Sequence, residues 1–418
     1  MAYPTLPPLH ERYDYLKDLI NLKHEYGATG IAEALKRLED AMTACEKEIA
    51  DLPIDEAKKA LEPDDYDAIL ALRPEGPRKL WDAIPETYRD KLEGAFLARC
   101  AGCTLGAAVE FWSTKEMEEW AKYCGDPFPP TQYWSRTKFP FITRYNKSIF
   151  QDYMRDSINK VPVDDDITYT LLGLLIAEDH GIDFNTEDVG KAWVKYLPYA
   201  CTAEAVALDN LRAGVPASEA AEKNNPYCQL IGADIRSDPF AYMAPGYPEK
   251  AAQMAYYDAY VSHRRNGIYG EMFFAAAQSA AFAVADPIEA IRIGLAAIPG
   301  ECDLAKDVRW ALEIGPEIKD YAQARATVES RFAGMGPVHT NLNACLTIFG
   351  LFIGGTDVTK VISEIVLWDT TMTVPPLPPA ASSALSLERR ASSPIGTSPF
   401  TTSLTTTSSM LASSRSTT

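Results

Sequence analysis

Residues 90–112 read DKLEGAFLARCAGCTLGAAVEFW, and this stretch decides the fold class. It has a helical pattern with small residues at Gly94, Ala98, Gly102 and Gly106, which let neighbouring helices approach closely. Strands would show alternating apolar and polar residues between turn signals, and that pattern is nearly absent from the chain. The sequence therefore predicts an all-α protein without internal repeats.

The remaining helices of the predicted body follow the same apolar periodicity of three and four residues. They are predicted at residues 168–179, 186–196, 202–214, 248–261, 270–285, 287–297, 304–314 and 341–354. Three domains or segments follow from these patterns and from composition. They are a helical extension at 1–85, an all-α domain at 86–370, and a low-complexity tail at 371–418.

The extension contains one strongly amphipathic segment at residues 30–51. Its apolar stripe consists of Ile31, Leu35, Leu38, Met42 and Cys45, at steps of three and four residues. Such a stripe is typical of a helix that packs on a larger body. No chemistry is indicated in residues 1–85, and their role stays open.

The net charge of −18 indicates which partners to expect. So acidic a surface is not drawn to nucleic acid or to anionic membranes, whereas it is compatible with binding cations. A small phosphorylated substrate stays possible in principle, because a helix N-terminus or a metal can override the overall field. No apolar run approaches the ~20 residues that span a bilayer, and the N-terminus lacks a secretory signal pattern. We expect a cytoplasmic protein, and its oligomeric state stays open.

Two cysteines, Cys100 and Cys103, form a lone C-x-x-C in the small-residue stretch. A structural zinc site needs a second pair at a suitable spacing, and none is present. We therefore interpret both as small buried residues of a helix.

Residues 161–175 read VPVDDDITYTLLGLL and place three consecutive aspartates, Asp164, Asp165 and Asp166, before an apolar helix. Consecutive helical residues point ~100° apart, so the three carboxylates cannot share one face within a helix. At a helix N-terminus they can converge, because the N-cap residue lies outside helical geometry. One interpretation is simple capping, with two carboxylates in solvent. The other is a site for Mg²⁺ or Mn²⁺, since so apolar a helix begins in a cleft or interior.

A second candidate region, residues 210–238 with their continuation to 273, combines polar residues with turn signals. Arg236 precedes a loop rich in proline and glycine, and the motif SHRRNGIYGEMF follows at 262–273. His263 and Gly267 have an ordinary interpretation at the end of a helix. His263 would bind the last carbonyls, and Gly267 would take the left-handed cap.

Six motifs in order resemble the ADP-ribosylglycohydrolase superfamily over roughly residues 90–369. They are GAFLARCAGCTLGAAVE, DDDITYT, IRSDPFAY with a following PG, SHRRNGIYGEMF, HTNLNACLTIFGLFIGGTD and WDT. The resemblance implies a compact orthogonal all-α bundle. It also implies a metal-dependent hydrolase that cleaves the glycosidic bond of ADP-ribosyl or related ribosyl conjugates, with two Mg²⁺ ions, or Mn²⁺, as cofactors.

The resemblance also implies roles for individual residues. The implied metal ligands are Asp164, Asp165, Asp166, Asp369 and Thr371. The implied catalytic residues are Asp165 and Glu110, of which one would move the proton of the attacking water or of the leaving group. The substrate-binding candidates are Glu110, Arg236, His263, Asn266, Gly267 and Tyr269. The partner implied is a small-molecule or ADP-ribosylated substrate, and the released acceptor stays open.

The chain departs from the family pattern after Asp369. Where relatives carry a second aspartate two positions later, this chain has Thr371, and a tail rich in serine, threonine and proline follows. One hypothesis is that the tail comes from a shifted reading frame or a mis-spliced gene model. Residues 372–377 can be encoded so that the neighbouring frame reads Asp-Asp-Cys-Ala-Thr-Val, which completes the family motif. The alternative is an impaired second metal site, as in a non-catalytic, crystallin-like or ligand-binding member of the fold.

Overall fold

The computed structural model describes residues 3–4, 7, 9–136 and 153–368. Within these ranges the chain forms seventeen α-helices and no strand or sheet. The predicted all-α class is confirmed. None of the described helices has both the length and the apolar character required to cross a bilayer.

The helices follow each other with short connections. In chain order they are α1 (Leu9–Glu25), α2 (Ile31–Ala50), α3 (Glu56–Leu61), α4 (Tyr66–Leu72), α5 (Tyr88–Ala107), α6 (Thr114–Cys124), α7 (Asp165–His180), α8 (Thr186–Tyr196), α9 (Thr202–Arg212), α10 (Asp238–Met243), α11 (Pro248–Ala259), α12 (Asn266–Ala281), α13 (Pro287–Gly294), α14 (Asp303–Ile314), α15 (Tyr321–Arg331), α16 (Thr340–Gly354) and α17 (Val358–Val366). Each helix predicted between residues 168 and 354 is present, with ends that differ by a few residues.

Helix α12 lies at the centre of the body, and all of its sixteen residues are buried. It packs against α11, α13 and α16. Alanines fill the middle of its sequence, NGIYGEMFFAAAQSAA, and so leave room for a neighbour on every side. A helix without a polar face is stable only inside a larger body, and α12 meets that condition.

Two compact units divide the chain. Of the described residues, one unit comprises those up to 60 together with 333–335, and the other comprises those from 61 to 332 together with 336–368. Residues 61–85, which the sequence assigned to the extension, belong to the second unit. There Ile69 is fully buried and the hydroxyl of Tyr256 donates a hydrogen bond to the carbonyl of Asp64 (3.0 Å).

The first unit contains α1 and α2, joined by a turn at residues 26–30. Gly27 and Gly30 adopt positive φ angles of 73° and 81° in this turn, a conformation that favours glycine. The predicted amphipathic helix is present as α2, but neither α1 nor α2 contains a buried residue. Whether a larger body covers the stripe of α2 stays a prediction.

Candidate active site

The aspartate triplet begins helix α7. Asp164 is the N-cap, with extended backbone angles (φ −148°, ψ 147°), and its carboxylate accepts a hydrogen bond from the backbone N–H of Asp166 (3.0 Å). Thr168 donates its hydroxyl proton to the carbonyl of Asp164 (2.7 Å). The capping interpretation is thus confirmed for Asp164. Asp166 is only partly exposed, so the triplet is not a fully solvated run of charges.

Arg99 of α5 fixes the position of Asp166. Its guanidinium lies 3.1 Å from the carboxylate of Asp166 and 3.0 Å from that of Asp238, and it donates to the carbonyl of Ile235 (2.9 Å). Arg99 and Asp238 are each only 1% exposed. A buried guanidinium requires such partners, because an unpaired charge in the interior is costly. Arg99 therefore ties α5 to the N-terminus of α7.

Cys103 lies one helical turn after Arg99, on the same face of α5. Its thiol and the carboxylates of Asp164 and Asp166 place one ligand atom each within 4.8 Å of one another. This is the one group of its kind found among the described residues. The cluster that could hold a metal ion thus contains two residues of the predicted set and one that the sequence analysis assigned to packing.

The carboxylates of this cluster retain protons more readily than free aspartates do. Burial raises the pKa of Asp164, and the neighbouring Asp165 raises it further. Burial raises the pKa of Asp166 well above its usual range, although Arg99 opposes the shift. The two carboxylates lie close enough together for their negative charges to repel each other, and a proton or a cation between them would relieve that repulsion.

Of the three side chains in this cluster, only the two carboxylates suit a hard divalent cation as ligands. Carboxylates are the protein ligands that Mg²⁺ and Mn²⁺ prefer, and a divalent cation would neutralise the repelling charges of Asp164 and Asp166. Burial raises the pKa of the Cys103 thiol well above its usual range, and the neutral thiol is a poor ligand for such ions. Cys103 therefore forms a wall of the site.

The two predicted catalytic residues, Asp165 and Glu110, are both exposed, and each lies in or just after a helix that carries a member of the cluster. Asp165 is the first residue of α7, whereas Glu110 follows the end of α5 at Ala107. The next residue, Phe111, has a positive φ of 60° and is exposed as well. Each carboxylate is thus reachable from solvent, and the choice between them as the catalytic base stays a prediction.

Arg236, predicted to bind substrate, lies in the interior of the body. Its guanidinium lies 2.5 Å from Glu204, 2.5 Å from Asp258 and 3.4 Å from Glu271, and it is stacked over the ring of Trp193 at 5.0 Å. These contacts occupy the side chain within the protein and stabilise the packing of four separate segments. Direct contact of Arg236 with substrate stays a prediction that these contacts do not support.

The motif at 262–273 is buried too. Nδ1 of His263 lies 2.8 Å from the hydroxyl oxygen of Ser262, and burial lowers the pKa of His263 well below its usual range, so the ring is neutral. Asn266 accepts a hydrogen bond from the backbone N–H of Leu304 (2.9 Å). Tyr269 donates its hydroxyl proton to the carbonyl of Pro63 (2.5 Å). The described contacts of these predicted substrate-binding residues are all within the protein.

Gly267 was predicted as a left-handed helix cap, and that interpretation is wrong. Gly267 belongs to the first turn of α12, and the residue with positive φ is Arg265 (φ 52°). A Cβ on Gly267 would overlap the carbonyl oxygen of Cys228. Glycine is therefore needed here for a close approach of two backbone segments.

Two predicted ligands of the second metal stretch, Asp369 and Thr371, lie outside the described residues, as does the tail. The helix that precedes them, α17, packs against α5, which carries Cys103. Trp368, the last described residue, is buried.

Arg99 is the residue of the site that the sequence analysis missed. The available signal was a single arginine within the otherwise small and apolar stretch 94–107, four residues before Cys103. Because charged residues are rarely fully buried unless they are paired, such an arginine indicates an acidic partner in the interior.

The fold and the cluster define a class: an all-α protein with a carboxylate cluster, suited to a divalent cation, at a helix N-terminus. The sequence model of the ADP-ribosylglycohydrolase family matches residues 84–370, which is more than half of the chain. The chain therefore belongs to the ADP-ribosylglycohydrolase family, a glycosylhydrolase family, and the resemblance seen in the sequence is confirmed. A search of curated proteins found no match to the chain.

Proposed function

We propose that this protein hydrolyses the glycosidic bond between ADP-ribose, or a related ribosyl group, and its acceptor, with Mg²⁺ or Mn²⁺ held by Asp164 and Asp166. The family supplies the reaction class. The observation that carries the metal assignment is the pair of carboxylates at the start of α7, which place one oxygen each within 4.8 Å of the other. Such a pair is costly without a proton or a cation between its members.

The second of the two ions would be held by Asp165, Asp369 and Thr371. The packing of α17 against α5 supports this assignment, because Asp369 follows the end of α17 by only three residues. Thr371 would contribute a hydroxyl oxygen but no charge, so the second ion would bind more weakly than with a complete family motif.

The residues of the chain have distinct tasks in this proposal. Arg99 holds the Asp166 carboxylate in one orientation, and the wall formed by Cys103 excludes water from the buried side. Asp165, exposed and adjacent to both ligands, accepts the proton of the attacking water, and Glu110 is the alternative base. When bound, the cations would lower the pKa of that water and polarise the ribose hydroxyls.

A hydrolysis screen tests the proposal. The protein is incubated with ADP-ribosylated arginine and serine substrates, with EDTA and after addition of Mg²⁺, and released ADP-ribose is measured. We expect activity that EDTA abolishes and Mg²⁺ restores. We expect Asp165→Asn to lower kcat by ~10² to 10⁴ if Asp165 is the base, and Glu110→Gln to do so if Glu110 is.

The matched control is Asp179→Asn, which removes an exposed carboxylate from the last turn of the same helix. It should leave kcat unchanged. The screen is run on the chain as given and on one that carries Asp-Thr-Asp-Asp from position 369. Activity that persists in EDTA would refute the metal assignment, and inactivity of both chains would favour a non-catalytic member of the fold.

A further inference from the structure

Helix α2 carries an apolar seam with the spacing of a coiled coil. Ile31, Leu35, Leu38, Met42, Cys45 and Ile49 follow each other at alternating steps of four and three residues. A repeat of this kind over nearly three heptads suits a helix that packs along its length against another helix. The seam is therefore built to be covered.

The structure leaves much of this seam in solvent. Leu35, Met42 and Ile49 are 41%, 50% and 63% exposed, and Ile31 and Leu38 are only half-buried. Helix α1 has a shorter seam of the same kind, Leu9, Tyr13, Leu16 and Ile20. Its first two members are exposed as well. Within the first unit, both helices thus present apolar seams that are largely exposed.

The charges beside the two seams are of opposite sign. Arg12 and Lys17 flank the seam of α1, whereas its acidic residues lie further away. Glu39, Glu46 and Glu48 flank the seam of α2. These five side chains are exposed, and none forms an ion pair within the described residues. In coiled coils, charges at these flanking positions select the partner helix.

The charges beside the two seams indicate which partner could cover them. A partner that covers both seams must offer an acidic flank to α1 and a basic flank to α2. The α1–α2 segment of a second copy of the chain offers both, in the self-complementary way that a twofold axis requires. Pairing of α2 with α2, or of α1 with α1, would bring like charges together.

We propose that α1 and α2 form a dimerisation unit, in which α1 of each copy packs against α2 of the other to form a four-helix bundle. Like helices lie on the diagonals of this bundle, and oppositely charged flanks lie along its sides. The proposal is independent of the catalytic function, since it uses no residue of the candidate active site.

Sedimentation velocity on the full chain at micromolar concentration tests the proposal. We expect a species of twice the 46.0 kDa chain mass. Met42→Glu places a charge in the seam and should raise the dimer dissociation constant at least about 100-fold. Thr43→Glu, one position further and off the seam, should leave the dimer intact. Circular dichroism checks that both variants keep their helical content.

A charge exchange distinguishes this bundle from other dimers. Lys17→Glu in one chain and Glu39→Lys in another should each weaken self-association. An equimolar mixture of the two variants should dimerise more tightly than either alone, because each then offers the flank that the other lacks. A monomeric wild-type chain would overturn the proposal, as would a dimer that Met42→Glu leaves unchanged or a mixture that associates no better than its components. A wild-type monomer destabilised by Met42→Glu would show that the seam rests on the chain's own body.

Discussion

Arg99 offers a direct way to measure how the candidate active site is held together. We consider Arg99→Met, which keeps the length and most of the volume of the side chain but removes its charge and its donors. The substitution leaves Asp238 1% exposed with one remaining partner, since Gln278 still donates to its other carboxylate oxygen (2.9 Å). It also removes the cation that orients Asp166.

The expected loss of stability in Arg99→Met follows from the burial of the ion pair. Breaking a buried ion pair by removing one partner costs about 3 to 5 kcal/mol, because the other charge stays uncompensated in the interior. Burial already raises the pKa of Asp238, and loss of Arg99 raises it further. The folded variant then binds a proton more tightly than the unfolded chain, so its stability falls as pH rises above the usual aspartate pKa. The destabilisation should therefore be larger at pH 8 than at pH 5.

Urea denaturation monitored by circular dichroism measures this loss. The matched control is Arg309→Met, which removes an arginine that is 46% exposed and lies 3.6 Å from Glu301. That exposed pair should contribute less than about 1 kcal/mol. Adding Asp238→Asn to Arg99→Met should recover part of the lost stability, because it removes the unpaired buried charge of Asp238. The reasoning is refuted if Arg99→Met costs no more than the control, or if the double variant is less stable than Arg99→Met alone.

Three further outcomes are expected. Gly267→Ala should lower the free energy of unfolding by about 1 to 3 kcal/mol through backbone overlap, whereas Gly336→Ala, with open space around it, should not; equal melting temperatures would contradict this. Burial raises the pKa of Glu271 well above its usual range, so the stability of Glu271→Gln relative to the wild type should rise from pH 4 to pH 8; a relative stability independent of pH would argue against a raised pKa. Sequencing the transcript across the codon of Asp369 should reveal a frame that encodes Asp-Asp-Cys-Ala-Thr-Val, and an intact frame for the tail would reject the shifted-frame hypothesis.

The helices of the body were predictable because their signals are local. The apolar run after Asp166 and the alanines of α12 fix helix type and burial through periodicity alone. That one aspartate of the triplet caps this helix was predictable for the same reason, and the structure identifies it as Asp164.

The contacts of the site depend on residues distant in sequence. Arg99 of α5 meets Asp238, the first residue of α10, across more than a hundred residues, and only the tertiary fold brings them together. The burial of Arg236 and His263 likewise depends on neighbours that no local pattern names. The polar motifs therefore indicated which regions of the sequence carry buried or clustered polar residues. They did not indicate whether those side chains face a substrate or the interior.

The account rests on a cation bound by Asp164 and Asp166, and a calorimetric titration with Mg²⁺ tests it most directly. The wild-type chain should bind the ion, and Asp166→Asn should weaken binding at least about tenfold, because it removes one of the two charged ligands. Cys103→Ser and Asp179→Asn, which alter the wall of the site and the far end of α7, should bind as the wild type does. Equal affinity of the wild type and Asp166→Asn, or no binding by the wild type, would contradict the account.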